Sequence, residues 1–192
     1  MIAIIKYPAG NITSVENAIN RLGYECIITD DAELLKSADK VIFPGVGEAS
    51  TAMKSLKAKG LNKLIPALTQ PVLGICLGQQ LMCTFSEENN TECLGIFNTT
   101  VNKFPPKELV PHMGWNNVEV TNSNLLKGVT AEDNFYFVHS YYAEPCDSTT
   151  GICNYILPFS AVMEKNNFYS TQFHPEKSAD AGEKILKNFL EM

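Results

Sequence analysis

The sequence predicts an α/β fold: a doubly wound, mostly parallel sheet with flanking helices and added antiparallel strands. Two observations predict it. Short apolar runs alternate with helical patterns through the first half, and short strands joined by turns take over in the second. Strands that alternate with helices form crossover units, which lay a parallel sheet under helices on both faces.

Residues 2–6 (Ile-Ala-Ile-Ile-Lys) read as a strand buried on both faces. A helix follows from Asn11 or Thr13, with Val15, Ala18, Ile19 and Leu22 on one face and Gly23 at its end. Further strands are expected at 25–28, at 40–43 (ending at Pro44-Gly45) and at 71–75. Helices are expected from Glu48 to Ala58 and from about Leu77. Beyond these, 115–120, 135–139, 152–156, 161–164 and 168–172 read as short strands with some antiparallel pairing. A closing helix fits 180–190, with Ala181, Ile185, Leu186 and Phe189 inward. Pro105-Pro106 reads as a loop, and no repeat or linker divides the chain.

With 192 residues, 45% apolar and 19% charged, one globular domain over 1–192 is expected. A net charge of −6 argues against nucleic-acid binding, which needs clustered Lys and Arg. No apolar run approaches the ~20 residues that span a bilayer, and the start lacks the pattern of a signal peptide, so a cytoplasmic protein with no membrane contact is expected. None of the six cysteines forms a Cys-x-x-Cys pair, and the three histidines have no metal-ligand spacing, so no metal is expected.

Three motifs carry chemistry. In Gly74-Ile75-Cys76-Leu77-Gly78 a buried strand runs into Cys76 and a helix begins at once, the nucleophile-elbow arrangement with Cys in place of Ser. The tight turn pushes the side chain out at the carboxyl edge of the sheet, and the positive end of the helix favours a thiolate. A buried inert Cys between packing glycines is the competing reading. In Gln172-Phe173-His174-Pro175-Glu176, His174 is a candidate base, and an extended segment would put Glu176 on the same side to orient it. An isolated His-x-Glu reads more readily as a His at a strand end and a solvated acid; beside a Cys on an elbow it gains weight as a catalytic pair. In Pro44-Gly45-Val46-Gly47 two glycines permit N–H groups to turn outward and, with the N–H of Leu77, to form an oxyanion hole; an ordinary strand-to-helix turn is the alternative.

Together, Pro44–Gly47, Gly74–Gln80 and His174–Glu176 resemble the class I (triad) glutamine amidotransferases, whose fold is flavodoxin-like. Residues 7–15, 86–88, 110–116 and 136–142 narrow the resemblance to the glutaminase subunits of imidazole glycerol phosphate synthase, over nearly the whole chain. The resemblance implies that Cys76 attacks the carboxamide of glutamine, His174 moves the proton and Glu176 orients His174. It implies that Val46, Gly47 and Leu77 supply the oxyanion donors, and that Gln80, Glu88, Ser140 and Tyr141 contact the substrate. It implies no cofactor. It also implies a heterodimeric partner, a cyclase subunit with a (β/α)8 barrel that receives the ammonia, faced by Asn11, Met113, Trp115 and Asn116. Asn11 reads equally as a helix cap. His139 reads as a structural or substrate-wall residue, and His112 as an assembly residue or as packing for the Trp.

The chain departs from the pattern in two places. Lys6 stands before Tyr7, where the family often has Asp, and Pro8 follows; and Met82-Cys83-Thr84-Phe85 after the elbow is less usual than an aliphatic–aromatic–acidic run. The first bears on the partner face and the second on packing. Rival readings are the glutaminase of guanylate, anthranilate or pyridoxal phosphate synthesis, a stand-alone cysteine hydrolase of the same fold, and a non-catalytic scaffold.

Overall fold

The computed structural model describes residues 1–8 and 10–192; Ala9, within the 7–15 segment, lies outside them. The first half alternates as the sequence predicts. Strand β1 (Ile2–Ile5) leads to helix α1 (Ile12–Arg21), β2 (Cys26–Thr29), α2 (Ala32–Ser37) and β3 (Lys40–Phe43). Helices α3 (Ala49–Ala58) and α4 (Leu61–Leu64) precede β4 (Val72–Ile75) and α5 (Leu77–Met82). The short strands β5 (Phe85–Ser86), β6 (Thr91–Glu92), β7 (Thr100–Lys103), β8 (His112–Asn116) and β9 (Glu119–Val120) follow. The chain ends with β10 (Phe135–His139), β11 (Tyr141–Ala143), β12 (Thr149–Asn154), β13 (Pro158–Lys165), β14 (Phe168–Thr171) and α6 (Ala179–Leu190).

The main sheet has the order β2-β1-β3-β4-β14-β13-β12-β9. Its first five strands are parallel, and β13, β12 and β9 extend it antiparallel. The parallel half thus has the 2-1-3-4-5 order of flavodoxin-like folds, with β14 as the fifth strand. Every residue of β1 and β4 is buried. Ile2 and Ile4 pack with Val15, Ala18 and Ile19 of α1 and with Ile185 and Phe189 of α6. Ala3 and Ile5 pack on the opposite face with Leu35, Ala52, Leu56 and Leu61. A strand covered on both sides must be apolar at every position, and that is the pattern the sequence carries.

The second half differs in detail. The predicted strand 115–120 is two strands in two sheets: β8 pairs with β10, and β9 with β12. The predicted 152–156 and 161–164 become a longer hairpin, β12 and β13, whose turn lies at 155–157. Helix α2 and the sheet β11-β7-β5-β6 have no counterpart in the sequence reading. The Asp31 side chain starts α2 by accepting from the backbone N–H of Glu33 and Leu34. No described helix is long and apolar enough to cross a membrane.

Candidate active site

The carboxyl ends of β1, β3, β4 and β14 converge. Cys76 forms the turn between β4 and α5, with φ 52° and ψ −106°. A non-glycine residue in that region is strained, and such strain persists only where the surroundings over-determine it. They do here: Cys76 N–H donates to Thr171 O at 2.8 Å, and Cys76 O accepts from Gln80 N–H at 3.2 Å. Helix α5 lies so close to β3 that a Cβ on Gly78 would fall 1.9 Å from Phe43 O. Glycine at 78 is therefore what lets the elbow close.

His174 and Glu176 lie behind Cys76, with side chains 1% and 0% exposed. The Pro175–Lys177 segment is a 3-10 turn rather than the extended stretch expected from sequence. Proline at its first position favours that turn, which curls Glu176 back onto the imidazole. His174 Nδ1 lies 2.7 Å from Glu176 Oε1. A carboxylate oxygen accepts, so the Nδ1 proton is fixed there and Nε2 is left for Cys76. Ser178 Oγ donates to His174 O at 2.6 Å, and His174 N–H donates to Tyr136 O at 3.0 Å, so the backbone is held from both sides.

Burial on its own would push the His174 imidazole down. The nearby charge of Cys76 and, after it, the hydrogen bond and charge of Glu176 outweigh burial and hold His174 at about 10.

Asn11 occupies the N-cap position of α1, yet its side chain does not cap the helix. It donates to Glu176 Oε1 instead. The sequence offers Asn11 as a partner-face residue or a cap; in the structure it touches the buried carboxylate.

One cavity of about 460 Å³ opens over Cys76. Val46, Gly47, Leu77, Gln80, Glu88, Ser140 and Tyr141, the expected oxyanion and substrate contacts, all line it, together with Pro111, Val138 and His139. Gln80 Nε2 donates to Tyr141 O at 2.9 Å and to Gln172 Oε1 at 3.0 Å. Both its N–H bonds are spent on acceptors, which leaves Oε1 to accept from a ligand. Glu88 Oε2 accepts from Ala49 N–H at 2.8 Å, and burial raises the pKa of this carboxyl. The N–H of Leu77 donates to Gly45 O at 3.2 Å, and Gly47 has φ 127°. In this state, then, one expected oxyanion donor already has a partner.

Two residues to which the sequence gives no role stand at the site. Gln172 Nε2 lies 3.6 Å from Cys76 Sγ. The buried Tyr7 hydroxyl donates to Pro44 O at 2.6 Å and ties the Pro44–Gly47 loop to the segment just after β1. Met113 and Trp115 lie away from the cavity, 66% and 56% exposed. Asn116 donates to Asn154 O at 3.0 Å.

Known proteins resemble this chain in sequence and in architecture. The chain is 59% identical over 194 residues to the imidazole glycerol phosphate synthase subunit HisH of Bacteroides fragilis (strain YCH46), covering 100% of this chain and 99% of that one. It is 50% identical to the subunit of the same name from Pasteurella multocida (strain Pm70), over 99% of this chain and 97% of the relative. The crystal structure of a putative GMP synthase subunit from Thermoplasma acidophilum superposes with TM-score 0.77 at 21% identity, covering 100% of this chain and 92% of that one. The structure of PurLQS from Thermotoga maritima gives TM-score 0.74 at 15% identity, over 99% and 97%. These two likenesses speak to the fold. The family model of the class-I glutamine amidotransferases matches residues 4–192, and the chain, an enzyme by this kinship, belongs to that family.

Proposed function

We propose that the chain is the glutaminase subunit of an imidazole glycerol phosphate synthase, a single cytoplasmic amidotransferase domain over 1–192. It hydrolyses glutamine to glutamate and passes ammonia to a cyclase subunit of (β/α)8-barrel fold. The cyclase uses the ammonia to make imidazole glycerol phosphate and aminoimidazole carboxamide ribotide in histidine biosynthesis. The observation that carries this reading is the gathering of seven expected contact residues around one cavity over Cys76. The identity of 59% over whole chains supports the choice of synthase.

In this mechanism the Cys76 sulfur attacks the carboxamide carbon of glutamine. The charge on the carbonyl oxygen is met by N–H groups of the Val46–Gly47 segment and Leu77. His174 delivers its proton to the departing ammonia and then draws one from water, which hydrolyses the glutamyl thioester. Glu176 holds the imidazole throughout. The Leu77 N–H is bonded to Gly45 O, so assembling the hole requires that loop to shift. A donor withheld until the partner engages would keep the isolated chain from wasting glutamine; one such donor is worth roughly 100- to 1,000-fold in rate. Met113 and Trp115 are exposed on β8, and we assign them with Asn11 and Asn116 to the partner face.

The test is glutamate release by the chain alone, then with the cyclase barrel and its ribulosyl acceptor. Stimulation by the pair, abolished in Cys76→Ala, is the expected result. Release by the isolated chain at the rate of the complex would overturn the switch, and stimulation by another synthase's acceptor domain instead would move the assignment.

A further inference from the structure

His112 and His139 face each other across the β8–β10 ladder, and neither has a part in the chemistry above. His112 Nδ1 lies 3.0 Å from His139 Nε2, and His139 Nδ1 lies 2.8 Å from Tyr141 O. The protons can be placed by elimination. A carbonyl oxygen only accepts, so His139 carries its proton on Nδ1. Its Nε2 is then bare and must accept, so His112 carries its proton on Nδ1 as well. Burial pulls both imidazoles down, His112 to about 4 and His139 to about 3, which keeps them neutral and the proton pattern single-valued at ordinary pH.

The packing holds this arrangement from the sides. The His112 ring stacks on Tyr155 with centroids 4.1 Å apart and on Phe137 at 4.9 Å. The His139 ring lies against Phe159 at 5.0 Å and Phe104 at 5.2 Å. The carbonyl that receives the His139 proton is the one that receives Gln80 Nε2, whose second N–H goes to Gln172 Oε1; Gln172 in turn reaches Cys76 Sγ. A continuous set of hydrogen bonds therefore runs from β8 to the nucleophile. Its first member, His112, is buried, while Met113 and Trp115 of the same strand are exposed.

We infer that His112 and His139 are a pair of positioning residues with locked tautomers: they fix the Tyr141 carbonyl, hold Gln80 in its orientation in the substrate cavity, and tie that wall to the strand bearing the partner face. The inference rests on the glutaminase reading for its kinetic consequence and on geometry alone for its tautomers.

Two measurements test it on the full chain with its partner. Imidazole ¹⁵N spectra should show both rings as the Nδ1–H tautomer, the minority form of a free histidine in water; an Nε2–H form at His139 overturns the pair. For kinetics, His112→Phe keeps an aromatic ring of matching shape but removes the donor, whereas His112→Asn keeps a donor near the Nδ1 position. His112→Phe should raise the KM for glutamine about tenfold, with kcat changed much less, since it strands a buried acceptor in the substrate wall. Alkylation of Cys76 by iodoacetamide, which does not use that wall, should keep its rate, and His112→Asn should restore most of the KM. A folded His112→Phe protein with unchanged KM, or His112→Asn no better than His112→Phe, would sink the inference. If the wild type releases no glutamate with any partner, the proposed function fails, and the tautomer spectra still decide the pair.

Discussion

His174 is buried, and burial disfavours an imidazolium, yet the charge of Cys76 holds it at about 10. The folded-state value lies above the ordinary 6.5, so the folded chain binds this proton more tightly than the unfolded chain does. The stability so gained is complete below about pH 6.5 and is lost as pH rises through about 10. Replacing Cys76 by Ala removes the largest raising influence and leaves burial opposed only by Glu176. An NMR titration of His174 should therefore find its pKa well below the wild-type value in Cys76→Ala, and the alkaline loss of stability should shrink with it. Glu176→Gln acts on the other nitrogen: it offers Nδ1 no charged acceptor and frees the imidazole to adopt the wrong tautomer. Glutamine turnover in the complex should fall by about 10²- to 10⁴-fold, with KM changed far less. Cys76, His174 and Glu176 are legible in the sequence because each sits in a short motif whose spacing has a mechanical meaning. Gln172 and Tyr7 are not. A glutamine and a tyrosine carry no such signal until the fold brings residue 172 within 3.6 Å of Cys76 Sγ and the residue 7 hydroxyl to Pro44.

The turn from β4 into α5 is where the element scale decides the chemistry. Its strain at Cys76 is held by α5 packing against β3, and that packing depends on the bare Cα of Gly78 beneath Phe43 O. Gly78→Ala places a methyl against a backbone carbonyl that cannot rotate away. A loss of about 2–3 kcal/mol in urea unfolding is expected, with glutaminase activity falling further than stability because the elbow itself is displaced. β1, β3, β4 and β10 are legible in advance because they are buried deeply enough to write a pattern. β3 (Lys40–Phe43) and β10 (Phe135–His139) begin and end where the sequence predicts. β5 and β6 have two residues each, too few to show any period, and they exist because neighbouring strands pair with them. The 115–120 run divides for a related reason. Its composition suits a strand throughout, but the chain leaves one sheet after Asn116 and joins another at Glu119, and composition does not record which neighbour a strand will find.

At the scale of the molecule, the main sheet gathers its chemistry along one edge and the small β8–β10 sheet presents an apolar face beside it. Met113 and Trp115 alternate with buried His112 on β8, as a strand requires when one side is packed and the other is free. Trp115 meets Tyr136 edge-on at 5.9 Å and is 56% exposed. An exposed Trp and Met side by side belong to the kind of surface that anchors a partner. Trp115→Ala should therefore separate two properties that a packing residue would lose together. The unfolding midpoint of the isolated chain should stay within about 0.5–1 kcal/mol of wild type, because more than half of the side chain is already in water. Affinity for the cyclase barrel, measured by calorimetry, should drop by about 2 kcal/mol, roughly thirtyfold in Kd, as for a central aromatic anchor. Glutamine turnover at saturating cyclase should recover if Trp115 serves only to hold the partner. If it stays low when the partner is bound, β8 transmits as well as binds, and the His112–His139 pair on the underside of that strand is the route by which it would reach Tyr141 and Gln80.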